Sequence, residues 1–225
     1  MDFETRISLI EQALAGPLPG IVAKNEFWPR AVPAAPTEGE RFERAAVLIL
    51  LYEREGRVAF PLMERTHFDG DAHSGQISLP GGRLEAGEGA IEAALREAEE
   101  ELHIRSGDLR VLGQLSPHWI PVSSYLVHPV VAWAEREPEF RLDEREVAAL
   151  IRCSVEELED HASRGSFVLT RAGRETRVPC WKLDAGTLWG ATAMILAELL
   201  ALFAESRKAT PGSWSEGPPS SRPAT

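Results

Sequence analysis

Residues 44–52 read RAAVLILLY, a nearly continuous apolar run with no polar face to offer water. A half-exposed strand alternates apolar and polar side chains, so an unbroken run of this kind predicts a buried strand. Glu53-Arg54-Glu55-Gly56 interrupts the run, and 57–64 (RVAFPLME) resumes a strand pattern, which predicts a hairpin with its first strand in the core. Pro61 has no N–H to give to a ladder and makes the second strand an edge or bulged one.

Shorter strands are expected at 76–79, 110–116, 127–134, 167–170 and 176–183. Helical spacing marks 7–14, 90–102, 145–151 and 187–204, and Ser154-Val155-Glu156-Glu157 carries a capping-box pattern that starts another helix. Between Gly16 and Gly39 five prolines and little periodicity suit a segment that wraps over the surface. After Ser206 the composition turns to Pro, Gly, Ser and Thr with a single Trp214, too little apolar surface to offset ordering entropy. The expected organisation is an N-terminal helix and wrapping segment at 1–43, one main domain at 44–206 and a disordered tail at 207–225. With 225 residues, 44% of them hydrophobic, one domain with a sizeable core is the expectation.

The chain carries 24 basic and 35 acidic residues, a net charge of -11. That balance argues against a nucleic acid partner held through phosphate contacts, and an anionic substrate would need locally placed cations. Cys153 and Cys180 are too few for a disulfide framework and read as ordinary thiols in a reducing cytoplasm. No apolar run approaches the roughly 20 residues that span a bilayer, and Met1-Asp2-Phe3-Glu4 has no secretion-signal pattern, so a cytoplasmic protein with no membrane partner is expected.

The segment 81–104, GGRLEAGEGAIEAALREAEEELHI, holds seven glutamates. On a helix with Glu97 at zero, Glu101 falls near 40° and Glu100 near -60°, while Ile91, Ala94, Leu95, Ala98 and Leu102 fall at roughly 60° to 160°. The acidic cluster therefore borders the buried stripe. Glu92 and Glu99 lie on the far side, where Glu92 can pair with Arg96 at i,i+4. Three like charges within one turn repel, and more strongly beside an apolar face. A hard divalent cation, Mg²⁺ or Mn²⁺, is the natural neutraliser, since carboxylates at i and i+4 can reach one ion. Ahead of the helix stand Leu79-Pro80-Gly81-Gly82 and a loop with Gly87 and Gly89, which let backbone approach a ligand closely.

Gly82, five residues, Glu88, seven residues and then Arg96-Glu97-Ala98-Glu99-Glu100-Glu101-Leu102 resemble the Nudix box, G-x5-E-x7-R-E-U-x-E-E-x-G-U with U aliphatic. Ala98 stands where a larger aliphatic is usual and His103 where glycine is usual. A non-glycine residue at φ > 0 costs on the order of 1 kcal/mol, so His103 is expected either to bear that strain or to let the helix run on to Gly107. The resemblance implies an α/β fold, the Nudix α/β/α sandwich with a mixed sheet and a loop-helix-loop catalytic motif. It also implies metal-dependent hydrolysis of a diphosphate linked to another group. Glu97, Glu100 and Glu101 are the implied metal ligands, the Gly82 carbonyl an additional one, and Arg96 the residue that orients a carboxylate. Glu101, Glu97 or Glu146 are the candidates for the base.

Upstream, Leu62-Met63-Glu64-Arg65-Thr66 and His73 through Gly82 resemble the coenzyme A pyrophosphatase branch, of the form L-L-T-x-R-[SA]…G-x3-F-P-G-G. Leu79 replaces the usual Phe, Glu64 the usual Thr, and Asp71 lies near the place of a second Arg. Ile120-Pro121-Val122 with 127–131, the segment 145–150 and 188–193 are similar to later parts of that branch. The implied substrate is coenzyme A or acyl-coenzyme A, giving phosphopantetheine and 3′,5′-ADP, with Arg65, Arg83, Gly81 and Gly82 toward the substrate. The alternatives are a Nudix enzyme for ADP-ribose, a dinucleoside polyphosphate or NADH, and a non-catalytic nucleotide sensor, which would show a broken glutamate set. A homodimer stays open. His67, His73, His103, His118, His128 and His161 share no ligand spacing and are expected to be structural or exposed.

Overall fold

The computed structural model describes residues 2–27, 35–66, 75–171 and 173–208. His67, Asp71, His73, Trp214 and the tail from 209 onward lie outside them. The chain begins with α1 (Phe3–Leu14), α2 (Ile21–Lys24) and a 3₁₀ turn at Asn25–Phe27. There follow β1 (Glu43–Arg54), β2 (Arg57–Arg65), β3 (Ile77–Ser78), β4 (Gly81–Arg83) and α3 (Ala90–Leu102). Next come β5 (Arg110–Gln114), β6 (His118–Ile120), β7 (Tyr125–Trp133), β8 (Val147–Ser154) and α4 (Val155–Glu159). The chain continues with β9 (Arg164–Arg171), β10 (Arg174–Leu183), β11 (Gly186–Trp189) and α5 (Gly190–Lys208).

The run at 44–52 lies in β1, which pairs in parallel with β7 from Glu43↔Tyr125 to Leu51↔Trp133. All other pairings are antiparallel, in a mixed sheet ordered β3-β2-β1-β7-β5, with β4 on β1, β6 on β7 and β8 on β2. The absence of a polar face is explained by two covering layers. Ala46, Leu48 and Leu50 pack with Ala93, Ala94, Ala98 and Leu102 of α3. Ala45, Ile49 and Leu51 share the opposite core with Ile7 and Ile10 of α1 and with Ile195, Leu196 and Leu199 of α5. Each such buried Leu or Ile contributes about 1.5–3 kcal/mol. A second sheet, β11-β10-β9, adds Trp181 and Leu188 to the α1/α5 side. Among the described residues no helix is long and apolar enough to cross a membrane.

Several expectations change. The stretch 145–151 was expected to be a short helix, but 147–154 is strand β8, antiparallel to β2 from Ala59↔Ser154 to Arg65↔Val147. Local spacing favoured a helix, but the open edge of β2 takes 147–154 as a strand. On its other flank β2 meets β1 at 57–59 and β3 at 63–64, and among the described residues no strand adjoins 60–62 there. Pro61 falls in that gap, and a bulge follows between Glu64 and Arg65. The helix expected at 187–204 starts later and ends later. Its first residues form β11, paired as Cys180↔Trp189, and α5 starts at Gly190, whose φ of 66° suits glycine at the corner. Arg207, expected in the tail, pairs with Glu159 from within α5. Ile91, expected on the buried stripe of α3, is exposed.

The N-terminal segment joins the main core instead of only wrapping it. Phe27 stacks on Trp181 with ring centroids 3.7 Å apart. Lys24 is buried and its Nζ lies 3.0 Å from Glu198 Oε2 of α5. Lys24 Nζ also donates to the Ser116 carbonyl at 2.5 Å, while Glu198 Oε1 accepts the Gly20 N–H at 3.0 Å. Burial depresses the Lys24 pKa and the Glu198 carboxylate opposes that shift. Removing one partner leaves an uncompensated buried charge, so Glu198→Ala should cost about 3–5 kcal/mol in denaturant unfolding. Lys24→Met/Glu198→Leu should cost clearly less than the single change. A double variant as unstable as the sum of the two singles would show that the charges do not act as a pair.

Candidate active site

Glu97 and Glu101 of α3 face the corner where β4 meets β1. That corner is built by two adjacent glycines with different tasks. Gly81 has φ 148°, and a Cβ there would stand 2.2 Å from the Ala46 carbonyl oxygen and 2.6 Å from Val47 Cα, so only glycine fits the backbone-to-backbone approach. A Cβ on Gly82 would instead meet the Glu97 carboxylate, 2.4 Å from Oε1. Gly81 makes the turn, and Gly82 makes room for a functional side chain.

Glu101 is 2% exposed, and its Oε2 accepts the Gly81 N–H at 2.8 Å. Burial pushes its pKa up to about 8, against the lowering effect of that N–H, and Glu97 raises it further while Arg65 opposes. Glu97 is also raised, chiefly by burial, with hydrogen bonding from Arg96 acting the other way. Glu146, in the turn before β8, is exposed, and its charge raises both of these carboxyls. Glu97 and Glu101 are thus held largely out of water near one another, and their ionised forms gain from an added cation.

Arg96 already supplies part of that charge. Its Nε and Nη2 clasp Glu88 through bonds of 2.8 and 3.0 Å, and Nη2 also donates to the Arg83 carbonyl at 3.1 Å. Its Nη1 donates to Glu97 Oε1 at 3.0 Å and Glu100 Oε2 at 3.1 Å. Glu88 is the residue whose role the sequence reading missed; the available signal was its fixed place in the box, eight positions before Arg96. The two-point clasp holds Glu88 below the ordinary carboxylate range. Glu92, expected to pair with Arg96, accepts the Gly89 N–H at 2.8 Å and caps the helix.

The other expected residues divide. Arg65, at the end of β2, has a buried Nε with no hydrogen-bond partner among the described residues, and its charge reaches Glu101. Arg83 is exposed and pairs with Glu43 at 2.9 Å. His118 is buried, while His103 occupies the left-handed region with φ 54° and ends α3, so the helix does not continue to Gly107. Cys153 and Cys180 are buried free thiols. Among the described residues no three acidic, His or Cys side chains converge as they stand on a metal position. Two of the acidic candidates, Glu97 and Glu100, are turned onto Arg96 and the third onto Gly81. The oxygen donor set still fits a hard divalent cation, with the Gly82 cradle keeping space beside Glu97.

The two glycines predict different failures. Gly81→Ala should destabilise the fold by more than about 2 kcal/mol, because the obstacle is backbone. Gly82→Ala should stay within about 1 kcal/mol of wild type while activity falls at least about tenfold, since Glu97 can swing away but not stay in place. Denaturant unfolding and turnover of both variants check this; full activity in Gly82→Ala would contradict it.

The chain matches the NUDIX domain family over residues 42–171. It is 32% identical over 157 residues to a protein of Yersinia pestis (strain Pestoides F) called uncharacterized Nudix hydrolase NudL, covering 69% of this chain and 77% of that one. A protein of the same name from Photorhabdus laumondii is 33% identical over 129 residues, 57% of this chain and 68% of its own. Among solved structures, the M. smegmatis Nudix hydrolase RenU aligns with a TM-score of 0.47 at 18% identity, covering 77% of this chain and 90% of that one. With the family matched along more than half its length, the chain belongs to the Nudix hydrolases.

Proposed function

We propose that this Nudix hydrolase cleaves the diphosphate linkage of coenzyme A or acyl-coenzyme A, releasing phosphopantetheine or its acyl form and 3′,5′-ADP. The observation that carries the reading is Arg65. It stands in the upstream segment that resembles the coenzyme A branch, and it ends β2 with a buried Nε that has no partner among the described residues and a charge that acts on Glu101. A buried guanidinium N–H without an acceptor is costly, and a phosphate oxygen would satisfy it.

Glu97, Glu100, Glu101 and the Gly82 carbonyl would hold Mg²⁺ or Mn²⁺. When bound, such an ion draws charge from the non-bridging phosphate oxygens and makes water a better nucleophile. Arg96 steadies Glu97 against Gly82 and holds Glu100 by one bond that a cation would replace, with Glu88 holding the guanidinium from behind. Glu101 is engaged by the Gly81 N–H, whereas Glu146 is exposed in the turn before β8, so we assign Glu146 the proton of the attacking water. Arg65 steadies the phosphate through its Nε. Arg83, already paired with Glu43 at the surface, is left a minor part.

A second reading, hydrolysis of ADP-ribose, a dinucleoside polyphosphate or NADH, is favoured by Glu64 and Leu79, which depart from the coenzyme A pattern. Steady-state kcat/KM for coenzyme A, 3′-dephospho-coenzyme A and ADP-ribose, in wild type and Arg65→Ala, separates the two. Loss of the 3′-phosphate should lower kcat/KM by about 10- to 150-fold if it makes a charge-assisted hydrogen bond. Arg65→Ala should lower all three, and excess chelator should abolish turnover. Equal values for the three compounds would defeat the coenzyme A assignment, and faster ADP-ribose cleavage would establish the second reading.

A further inference from the structure

His103 occupies a strained place and uses it. Its φ of 54° and ψ of 36° put it in the left-handed region at the end of α3, with its N–H on the Glu99 carbonyl. From there its ring Nδ1 lies 3.1 Å from the Arg141 carbonyl oxygen. A carbonyl only accepts, so the bond requires the tautomer protonated at Nδ1. In return the Arg141 N–H donates to the Leu102 carbonyl at 3.0 Å, and the Asp143 N–H to the Glu101 carbonyl at 3.0 Å. The last carbonyls of α3, which a helix leaves unpaired, are thus taken by the segment 141–143.

That segment leads directly to Glu146. The Asp143 carbonyl accepts the N–H groups of Glu146 at 2.9 Å and Val147 at 2.8 Å, and the Arg145 N–H donates to Asp143 Oδ1 at 3.0 Å. From the other side the Thr66 N–H donates to the Glu146 carbonyl at 2.9 Å. Backbone hydrogen bonds therefore run without a break from the helix turn containing Glu101 to Glu146. Among the described residues His103 contributes the side-chain bond at the helix end of this strap.

We infer that His103 is a positioning residue: its imidazole straps the 141–146 segment to α3 and sets where the Glu146 carboxylate stands relative to Glu97 and Glu101. The inference rests on the assignment of Glu146 to the proton of the attacking water, and it explains why a residue that strains the backbone stands at this corner. Glycine would relieve the strain but remove the side-chain bond of the strap, leaving only its backbone bonds. Asparagine tolerates the left-handed region and carries an amide nitrogen about where the ring has Nδ1.

The test uses the full chain and the compound that wild type cleaves fastest among coenzyme A, ADP-ribose and NADH, with saturating Mg²⁺. His103→Gly should keep the melting temperature near that of wild type, because relieved strain offsets the lost bond. Its kcat should fall about three- to tenfold with KM within about twofold, and His103→Asn should recover most of the loss. Added to Glu146→Gln, His103→Gly should cost no further kcat. Amide hydrogen exchange at 143–147 should quicken about three- to tenfold in His103→Gly and return toward wild type in His103→Asn. Unchanged kcat and unchanged exchange in His103→Gly would overturn the strap while leaving the role of Glu146 intact. Full activity in Glu146→Gln would remove the assignment on which it rests, and the strap's functional meaning with it.

Discussion

The carboxylate of Glu101 is held almost out of water against a single backbone N–H, that of Gly81, and most of the architecture can be traced from this contact. Keeping a carboxylate there requires α3 to lie close to the corner of β4, which requires small side chains on its inner face. Ala93, Ala94 and Ala98 supply them, all fully buried. The corner itself requires Gly81 to pass over Ala46 and Val47 of β1 without a Cβ. That crossing can hold its position only on a strand fixed from both sides, and β1 is fixed by α3 on one face and by α1 and α5 on the other.

Arg96 then decides which carboxylates are rigid and which can move. Its clasp on Glu88 uses two parallel bonds on a side chain that is mostly covered, whereas its single bond to Glu100 reaches a side chain 59% exposed. An exposed pair of that kind is worth little, typically below about 1 kcal/mol. Glu100 is therefore the donor that can leave Arg96 cheaply for a cation, while Glu88 keeps the guanidinium where it is. Glu97 lies between the two, bound to the same Nη1 but pressed against Gly82.

Much of this was legible in the sequence where a single local rule sufficed. The boundaries of α3 follow from helical spacing, and the apolar run of β1 announced a strand covered on both faces. The capping box at Ser154 is present, with Glu157 N–H on Ser154 Oγ at 3.1 Å. Glu97 and Glu101 meet the two glycines of one corner because their i,i+4 spacing fixes them on one side of a helix. What escaped was set by partners distant in the chain. Residues 147–154 became a strand because β2 needed one, and 186–189 became β11 because β10 did. Glu92 was free to cap α3 because Glu88, reaching back from the loop, had taken Arg96. The bond from His103 to Arg141 spans 38 residues and has no local trace.

The assignment that carries the mechanism is that Glu97, Glu100 and Glu101, all on α3, form a cation site that Glu101 anchors. It is tested most directly by titrating Mn²⁺ into the full chain and following free Mn²⁺ by electron paramagnetic resonance, in wild type and in Glu101→Gln. The glutamine keeps the volume and can still accept the Gly81 N–H, so only the charge is removed. Saturable binding in wild type, weakened by at least about tenfold in Glu101→Gln with the fold intact, is the predicted result. Equal Mn²⁺ affinity in the two proteins would show that the Glu101 carboxylate holds no cation.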